Sequence, residues 1–436
     1  EGQRFIEVCR KVTRNKPIVL LKAGQTNAGA RAVSSHTGSL AGSLAAYQAA
    51  IKQSGVIMVQ TAAELINIAF AFSTQPLPQG NRIAVVTNSG GPAALASDSL
   101  ANHNIQLADL SESTQSSLRA SLNPSAQISN PVDMLGGAEP KDYGLAVDKC
   151  LQDDQVDAVL VIHVPTSVVN PDEVAHAIGK AAASHKKPIL ACIMGEYSIG
   201  QAQTILHQYQ IPAFQYPDQI GGIFGAMFTY AQNIKKPFAP ASYSGKTSDQ
   251  TLANVLADNP EKELGEAHIR PLLAAYDFPL IEAELAHNEQ EAVNKAANMR
   301  KPLAMKIVSP DVLHKSDAGG IRLNIQNGEE AASAYHEIIQ NVSKKIPAAR
   351  IEGVIMEPMA PKGQEVIIGM KRDPQFGPLL MFGLGGIYVE LFGDVSFRVA
   401  PISKEDALEM IRETKAGKLL AGIRGHRPAD IEAVVD

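Results

Sequence analysis

Tryptophan is absent from the 436-residue chain, and aromatic residues make up only 5% of it. With so little aromatic material, and with Ala, Gly, Val and Ile abundant, close-packed α/β layers are favoured over an aromatic-rich β-sandwich. Cysteine is scarce as well. Cys9, Cys150 and Cys192 are too few and too scattered for a disulfide framework or a zinc cluster. They read as buried free thiols of a reducing, cytoplasmic compartment. No apolar run reaches the ~18 residues of a membrane span, and no signal-peptide pattern is visible. An excess of basic residues is also missing. With 39 Lys+Arg against 45 Asp+Glu the formal net charge is −6, so there is no electrostatic case for nucleic-acid binding. What is present is ordinary globular material, 45% hydrophobic and 19% charged. The length suggests roughly two to four domains of ~100–200 residues. The first residues are Glu1-Gly2-Gln3 rather than Met, so a native terminus is not expected at either end.

One small pattern recurs three times: Lys-Pro followed by an apolar run. It occurs at Lys16-Pro17, Lys187-Pro188 and Lys301-Pro302. Proline stops a helix and cannot donate to a ladder, so it belongs at a strand start. The unbroken apolar runs that follow predict strands buried on both faces, as in a parallel sheet. Residues 1–60 read as a fragment: a helix, a strand ending at Leu21, a small-residue loop, a helix from about Gly42 and a short strand near Val56–Val59. Strands are predicted at Arg82–Thr87, Asp157–His163, Pro188–Met194 and Ile211–Phe214, with a short one at Gln106–Ala108. Helices alternate with them, which is the α/β pattern. The Pro/Ser/Ala-rich stretch 235–248 reads as linker. Its Gly245-Lys246-Thr247 is not a phosphate loop, because Pro240 stands where a glycine is needed and no strand precedes it. Beyond it the texture is α+β with neighbouring antiparallel strands. The predicted division is 1–78, 79–234, a linker at 235–260, and 261–436.

Several stretches carry chemistry. His36 stands among small hydroxylated residues and glycines in 24–43, a composition that predicts a mobile segment. A neutral imidazole is a competent nucleophile; a surface histidine without a role is the alternative. Asn88-Ser89-Gly90-Gly91-Pro92 directly follows a predicted strand. Free amides at a helix start would make an anion site there, and a plain tight turn is the alternative. Asn130-Pro131-Val132-Asp133 is a weaker candidate, read as a turn that ends a strand. Lys306 follows an apolar run, and an inward ammonium there needs an anion partner, such as a nucleotide phosphate. Gly319-Gly320 lies in a loop of phosphate-covering texture that also holds His314. Glu357 and Met359 sit at a strand end where backbone groups could meet an adenine edge, and Glu365 lies on the next strand. Glu390, Asp394 and Arg398 follow a Gly-rich turn.

In this order the motifs are specific. The sequence resembles the nucleoside-diphosphate-forming acyl-CoA synthetases, relatives of succinyl-CoA synthetase, over nearly its whole length. Ser35-His36-Thr37-Gly38, Asn88-Ser89-Gly90-Gly91-Pro92, Asn130-Pro131-Val132-Asp133, Ser309-Pro310-Asp311 through His314-Lys315, and Arg372-Asp373-Pro374-Gln375-Phe376-Gly377-Pro378 carry the resemblance. The resemblance implies flavodoxin-like, doubly wound parallel sheets followed by an α+β ATP-grasp domain. It implies an ADP-forming acid–CoA ligase in which an acyl phosphate passes its phosphoryl group to a histidine and then to ADP. His36 matches the phosphorylated histidine, His314 a second, relaying histidine, and Glu390 a residue near that phosphate. Ser89, Gly90 and Gly91 match a phosphate-binding helix start. Lys306, Glu357, Met359, Glu365, Gly319 and Gly320 fall on the nucleotide site.

ATP or ADP, Mg²⁺ and coenzyme A are the implied cofactors, and a homodimer the implied assembly. The resemblance also implies a preceding CoA-binding domain and a following Asp-x-Asn-Pro strand with metal ligands. Neither is present, so the chain is expected to be a fragment whose CoA site lies largely outside it; no metal ligands are assigned. A regulatory region of a fused protein-lysine acetyltransferase is the rival. A plain ATP-grasp carboxylate–amine ligase is disfavoured, since it leaves His36 and residues 81–233 without a purpose.

Overall fold

The computed structural model describes residues 2–26, 28, 43–195, 201–236, 252, 254, 266–312, 314–361, 363–386, 393–422 and 427–435. They form two compact units: Glu1–Ala241 with Val366–Asp436, and Ser242–Glu365.

The first unit opens with α1 (Gly2–Val12), β1 (Val19–Leu21), α2 (Leu44–Ser54), β2 (Ile57–Val59) and α3 (Ala62–Thr74). β1 and β2 pair in parallel, Val19 opposite Ile57. Ser43 caps α2 by accepting the Ala46 amide. Gly55, at φ 72°, ends the helix in the left-handed turn that glycine permits.

A second sheet follows. Its elements are β3 (Arg82–Thr87), α4 (Gly90–Asn102), β4 (Gln106–Leu107), α5 (Glu112–Ser121), β5 (Val132–Asp133), α6 (Pro140–Gln152), β6 (Ala158–His163), α7 (Pro171–Ala182), β7 (Ile189–Ile193), α8 (Ala202–Gln208), β8 (Ala213–Phe214) and α9 (Ile220–Asn233). The strand order is β4-β3-β6-β7-β8, all parallel. β4 pairs the start of β3 at Arg82–Ile83, and β5 pairs its end at Val86–Thr87. The two short strands therefore share one edge position, which gives the flavodoxin order with its switch point between β3 and β6. Val159 and Val161 pack towards Tyr143, Val147 and Ile178. Leu160 and Ile162 pack the other way, towards Ile68, Leu100 and Phe224. Burial on both faces is the reason these strands read as unbroken apolar runs.

The second unit contains α10 (Glu266–Ala275), β9 (Glu284–Ala286), α11 (Glu289–Asn298), β10 (Leu303–Val308), β11 (Ile321–Ile325), α12 (Gly328–Lys345) and β12 (Gly353–Pro358). Its antiparallel sheet has the order β11-β10-β12-β9. Leu303, Met305, Ile307, Val354 and Met356 face a core shared with Ala292, Ala296, Ala331 and Ile338 of α11 and α12. Strict alternation puts Ala304, Lys306, Ile355 and Glu357 on the opposite face.

The chain then returns to the first unit with β13 (Val366–Asp373), β14 (Gly377–Leu384), β15 (Val395–Val399), α13 (Lys404–Arg412), α14 (Lys415–Leu420) and α15 (Ile431–Val435). β13 and β14 form a hairpin from Val366↔Leu384 to Asp373↔Gly377. Phe376, Leu379 and Val399 share a core with Ile6, Ala46, Ala49 and Ala50 of α1 and α2. Tyr47 meets the Phe376 ring edge-on, with centroids 5.0 Å apart. The short β1–β2 sheet is thus supported by strands from the far end of the sequence. Glu365, expected on a strand, is exposed one residue before β13 begins.

Candidate functional site

The carboxyl edge of the parallel sheet is built by β3, β5 and β6. Asn130 staples its outer strands. The side-chain oxygen accepts the Val85 amide at 2.9 Å, and the side-chain nitrogen donates to the Ile83 and Ala108 carbonyls. That bond set fits the gap where β4 stops and β5 starts. Val132–Asp133, read from sequence as a turn ending a strand, is itself a strand: it pairs with Val86–Thr87, and the Met134 amide donates to the Thr87 carbonyl. Asn88 is buried and ties β3 to the residue after β6, donating to the Val164 carbonyl and accepting its amide.

Between these two anchors α4 begins. Ser89 is its N-cap, but its side chain caps no amide. The Ser89 amide donates to Thr87 Oγ1 at 3.0 Å. A Cβ on Gly91 would meet nothing within 4 Å, and one on Gly90 would come only to 3.4 Å from Asp133 Oδ2. The helix start is therefore open, with amide donors and the positive end of the helix dipole facing that space.

Just beyond lies His163, the last residue of β6. It is fully buried, its Nδ1 shares a hydrogen bond with Tyr143 Oη at 2.8 Å, and its Nε2 has no partner. Burial pushes its pKa from 6.5 down to about 4. The sequence reading saw only a strand terminus here.

The second unit carries the cationic site. Lys306 Nζ donates to Glu357 Oε2 at 2.6 Å, and Arg270 Nη1 donates to Glu357 Oε1 at 2.9 Å. The register explains the meeting: Lys306 lies opposite Ile355, so Glu357 is its diagonal neighbour on the same face. The anion partner that Lys306 requires is thus supplied inside the fold. Arg270 was not singled out from sequence, since α10 reads there as a plain amphipathic helix.

Gly319, at φ 71°, and Gly320 shape the loop before β11. A Cβ on Gly320 would lie 2.5 Å from the Ile307 side chain, so only glycine lets the loop lie against β10. Asp311 braces the same loop, accepting the Arg350 amide at 2.7 Å. The Arg350 guanidinium and amide hold its carboxyl below the ordinary range. His314 is exposed on this loop. The Met359 amide donates to the Pro302 carbonyl at 2.7 Å, so it closes the β10–β12 ladder.

His36 and Glu390 lie outside the described residues. Two nearby candidates from the same reading are structural. Asp394 Oδ2 accepts the Lys415 amide at 2.7 Å, and Arg398 is buried among acidic residues of α13 and the turn after it.

Among the described residues no group of three or more His, Cys, Asp or Glu could hold a metal ion. The three cysteines are free and buried, and no described helix is long and apolar enough to cross a membrane.

The class follows from these parts. A family described as "Succinyl-CoA ligase like flavodoxin domain" matches residues 1–72, "Ligase-CoA domain" matches 83–236, and "ATP-grasp domain" matches 254–436. The ADP-forming acetate–CoA ligase I of Archaeoglobus fulgidus is 38% identical over 441 residues, covering 100% of this chain and 63% of that protein. The beta subunit of the ADP-forming acetate–CoA ligase I of Pyrococcus furiosus is 55% identical over 175 residues, covering 40% of this chain and 75% of that subunit. Among solved structures, the dinucleotide-forming acetyl-coenzyme A synthetase 1 of Ca. Korarchaeum cryptofilum, in complex with phosphate and ADP, matches with a TM-score of 0.51 at 34% identity. That match covers 53% of this chain and 51% of the other. The chain belongs to the ADP-forming acyl-CoA synthetase family. It spans about 63% of the length of its full-length Archaeoglobus relative.

Proposed function

We propose that the protein acts as an ADP-forming acid–CoA ligase, interconverting acyl-CoA, ADP and phosphate with carboxylate, CoA and ATP. In this reading a phosphate oxygen attacks the acyl carbonyl of acyl-CoA, the C–S bond breaks and CoA leaves as its thiol; a His36 nitrogen then attacks the phosphorus of the resulting acyl phosphate. The bond from phosphorus to the acyl oxygen breaks and the carboxylate leaves. A terminal oxygen of ADP then takes the phosphoryl group, and the P–N bond breaks. Ser89 and the open amides of Gly90 and Gly91 receive phosphate at the sheet edge. Lys306 receives the nucleotide phosphates, Gly319 and Gly320 let the covering loop approach them, and Glu357, Met359 and Glu365 complete the nucleotide side. At Met359 a base contact falls to groups other than its amide, which the ladder already uses. His314 and Glu390 assist the second transfer. Mg²⁺ would accompany the nucleotide. Among the described residues no group of three or more His, Cys, Asp or Glu could hold it, and no step is assigned to it. CoA is held mainly outside this chain.

The observation that carries this reading is Lys306, a half-buried ammonium on the non-core face of the antiparallel sheet. A solved relative that covers 53% of this chain holds phosphate and ADP, which supports a reaction that uses both. The matched families and relatives give no support to the acetyltransferase-fusion alternative. The proposed assembly is a homodimer, which light scattering on the full-length protein reads directly. The activity is tested by supplying that protein with acetyl-CoA, ADP, phosphate and Mg²⁺. ATP and free thiol are expected in equal amounts, and Lys306→Ala should lower kcat/KM for ADP by at least about 100-fold. Thiol release without ATP would overturn the reading.

A further inference from the structure

Glu357 has two cationic partners, and only Lys306 has a role so far. The carboxylate is nearly buried, with 10% of its side chain exposed, against 20% for Arg270 and 29% for Lys306. Its oxygens are divided, one to each cation. The Arg270 guanidinium is fixed from a second side, because Nη2 donates to the Ile281 carbonyl. Lys306 is the most exposed of the three and is a point charge on a rotatable stem, while arginine is a rigid, permanently charged fork. A buried carboxylate that lost its sole cation would be left uncompensated. Here it keeps one.

We propose that Arg270 is a positioning residue for nucleoside-diphosphate binding: it stays on Glu357 when Lys306 turns to a phosphate oxygen, so the carboxylate does not retain the ammonium. The inference rests on the nucleotide reading of Lys306. Without Arg270, Glu357 competes with phosphate for Lys306 using both oxygens.

ADP binding to the full-length protein, measured by calorimetry with Mg²⁺ present, tests this. Arg270→Gln should weaken ADP binding about tenfold and raise the ADP KM likewise, with kcat changed less than about threefold. Arg270→Lys, which keeps charge without the fork, should weaken it about threefold. Adding Glu357→Gln to Arg270→Gln should restore ADP affinity to within about threefold of Glu357→Gln alone, because no carboxylate then competes. A purely structural arginine gives no such rescue. Wild-type affinity in Arg270→Gln, or losses that simply add in the double variant, would overturn the proposal. Where Arg270→Gln does not fold, Arg270→Lys, alone and combined with Glu357→Gln, decides it. Failure of the nucleotide reading looks different: Lys306→Ala and the wild type would bind ADP equally.

Discussion

At the scale of single residues, His163 shows how burial can be felt as a pH dependence. Its folded pKa of about 4 lies below the ordinary 6.5, so the unfolded chain takes up the proton first. The contribution is complete above pH 6.5 and is lost as pH falls towards 4, on the order of 3 kcal/mol at most. Burial also holds the Tyr143 hydroxyl far above its ordinary pKa, so it is always protonated and available to the imidazole. Urea unfolding at pH 7 and pH 4.5 should therefore show a larger loss in the wild type than in His163→Phe. Equal losses would contradict the assignment. Little of this was legible in the sequence. A histidine closing an apolar strand looks like a strand end, and its partner Tyr143 is twenty residues away on α6. Lys306 was legible, because an ammonium after an apolar run demands an anion. That the anion is Glu357 follows only from the β10–β12 register.

At the scale of elements, the sheet-edge helix allows stability to be separated from the proposed phosphate binding. Gly91 faces open space, so Gly91→Ala should leave stability unchanged or raise it by up to about 1 kcal/mol. The added methyl should nonetheless raise the KM for phosphate several-fold, by standing where the ion approaches. An unchanged KM would remove the phosphate role from this helix. Elements with an unbroken apolar run were legible at their ends: β3 falls on Arg82–Thr87 as expected, and β6 and β7 fall within one residue of their expected ends. α3 was not, since its Ala, Ile and Phe residues lie around much of the helix and blur the 3.6-residue period. β5 was invisible for another reason. Two residues carry no period, and the strand is defined by its pairing with Val86–Thr87.

At the scale of the whole chain, the first unit is discontinuous, and charge as well as apolar packing joins its two stretches. Arg398, 1% exposed, lies among Asp406, Glu409 and Glu413, and Lys52 of α2 and Lys236 after α9 neutralise the outer acids. Burial raises the Glu413 pKa, but Arg398 and Lys52 together bring it below the ordinary range. Removing Arg398 takes away the buried cation at the centre, while Glu413 and Glu409 keep Lys52 and Lys236. Arg398→Ala should cost about 1–3 kcal/mol in denaturant unfolding, and a cost under about 0.5 kcal/mol would show that the network is dispensable. The fold class was legible because α/β alternation is local. The pairing of β14 and β15 with α1 and α2 was not, because nothing in the first 60 residues names its distant partners. The central claim is that phosphate travels through His36. Full-length protein incubated with Mg-ATP labelled in the γ position, then digested and mapped, should carry acid-labile phosphate on the His36 peptide, and His36→Ala should carry none there and form no ATP from acetyl-CoA, ADP and phosphate. Absence of label at His36 in an active enzyme, or ligase turnover surviving in His36→Ala, would contradict the account.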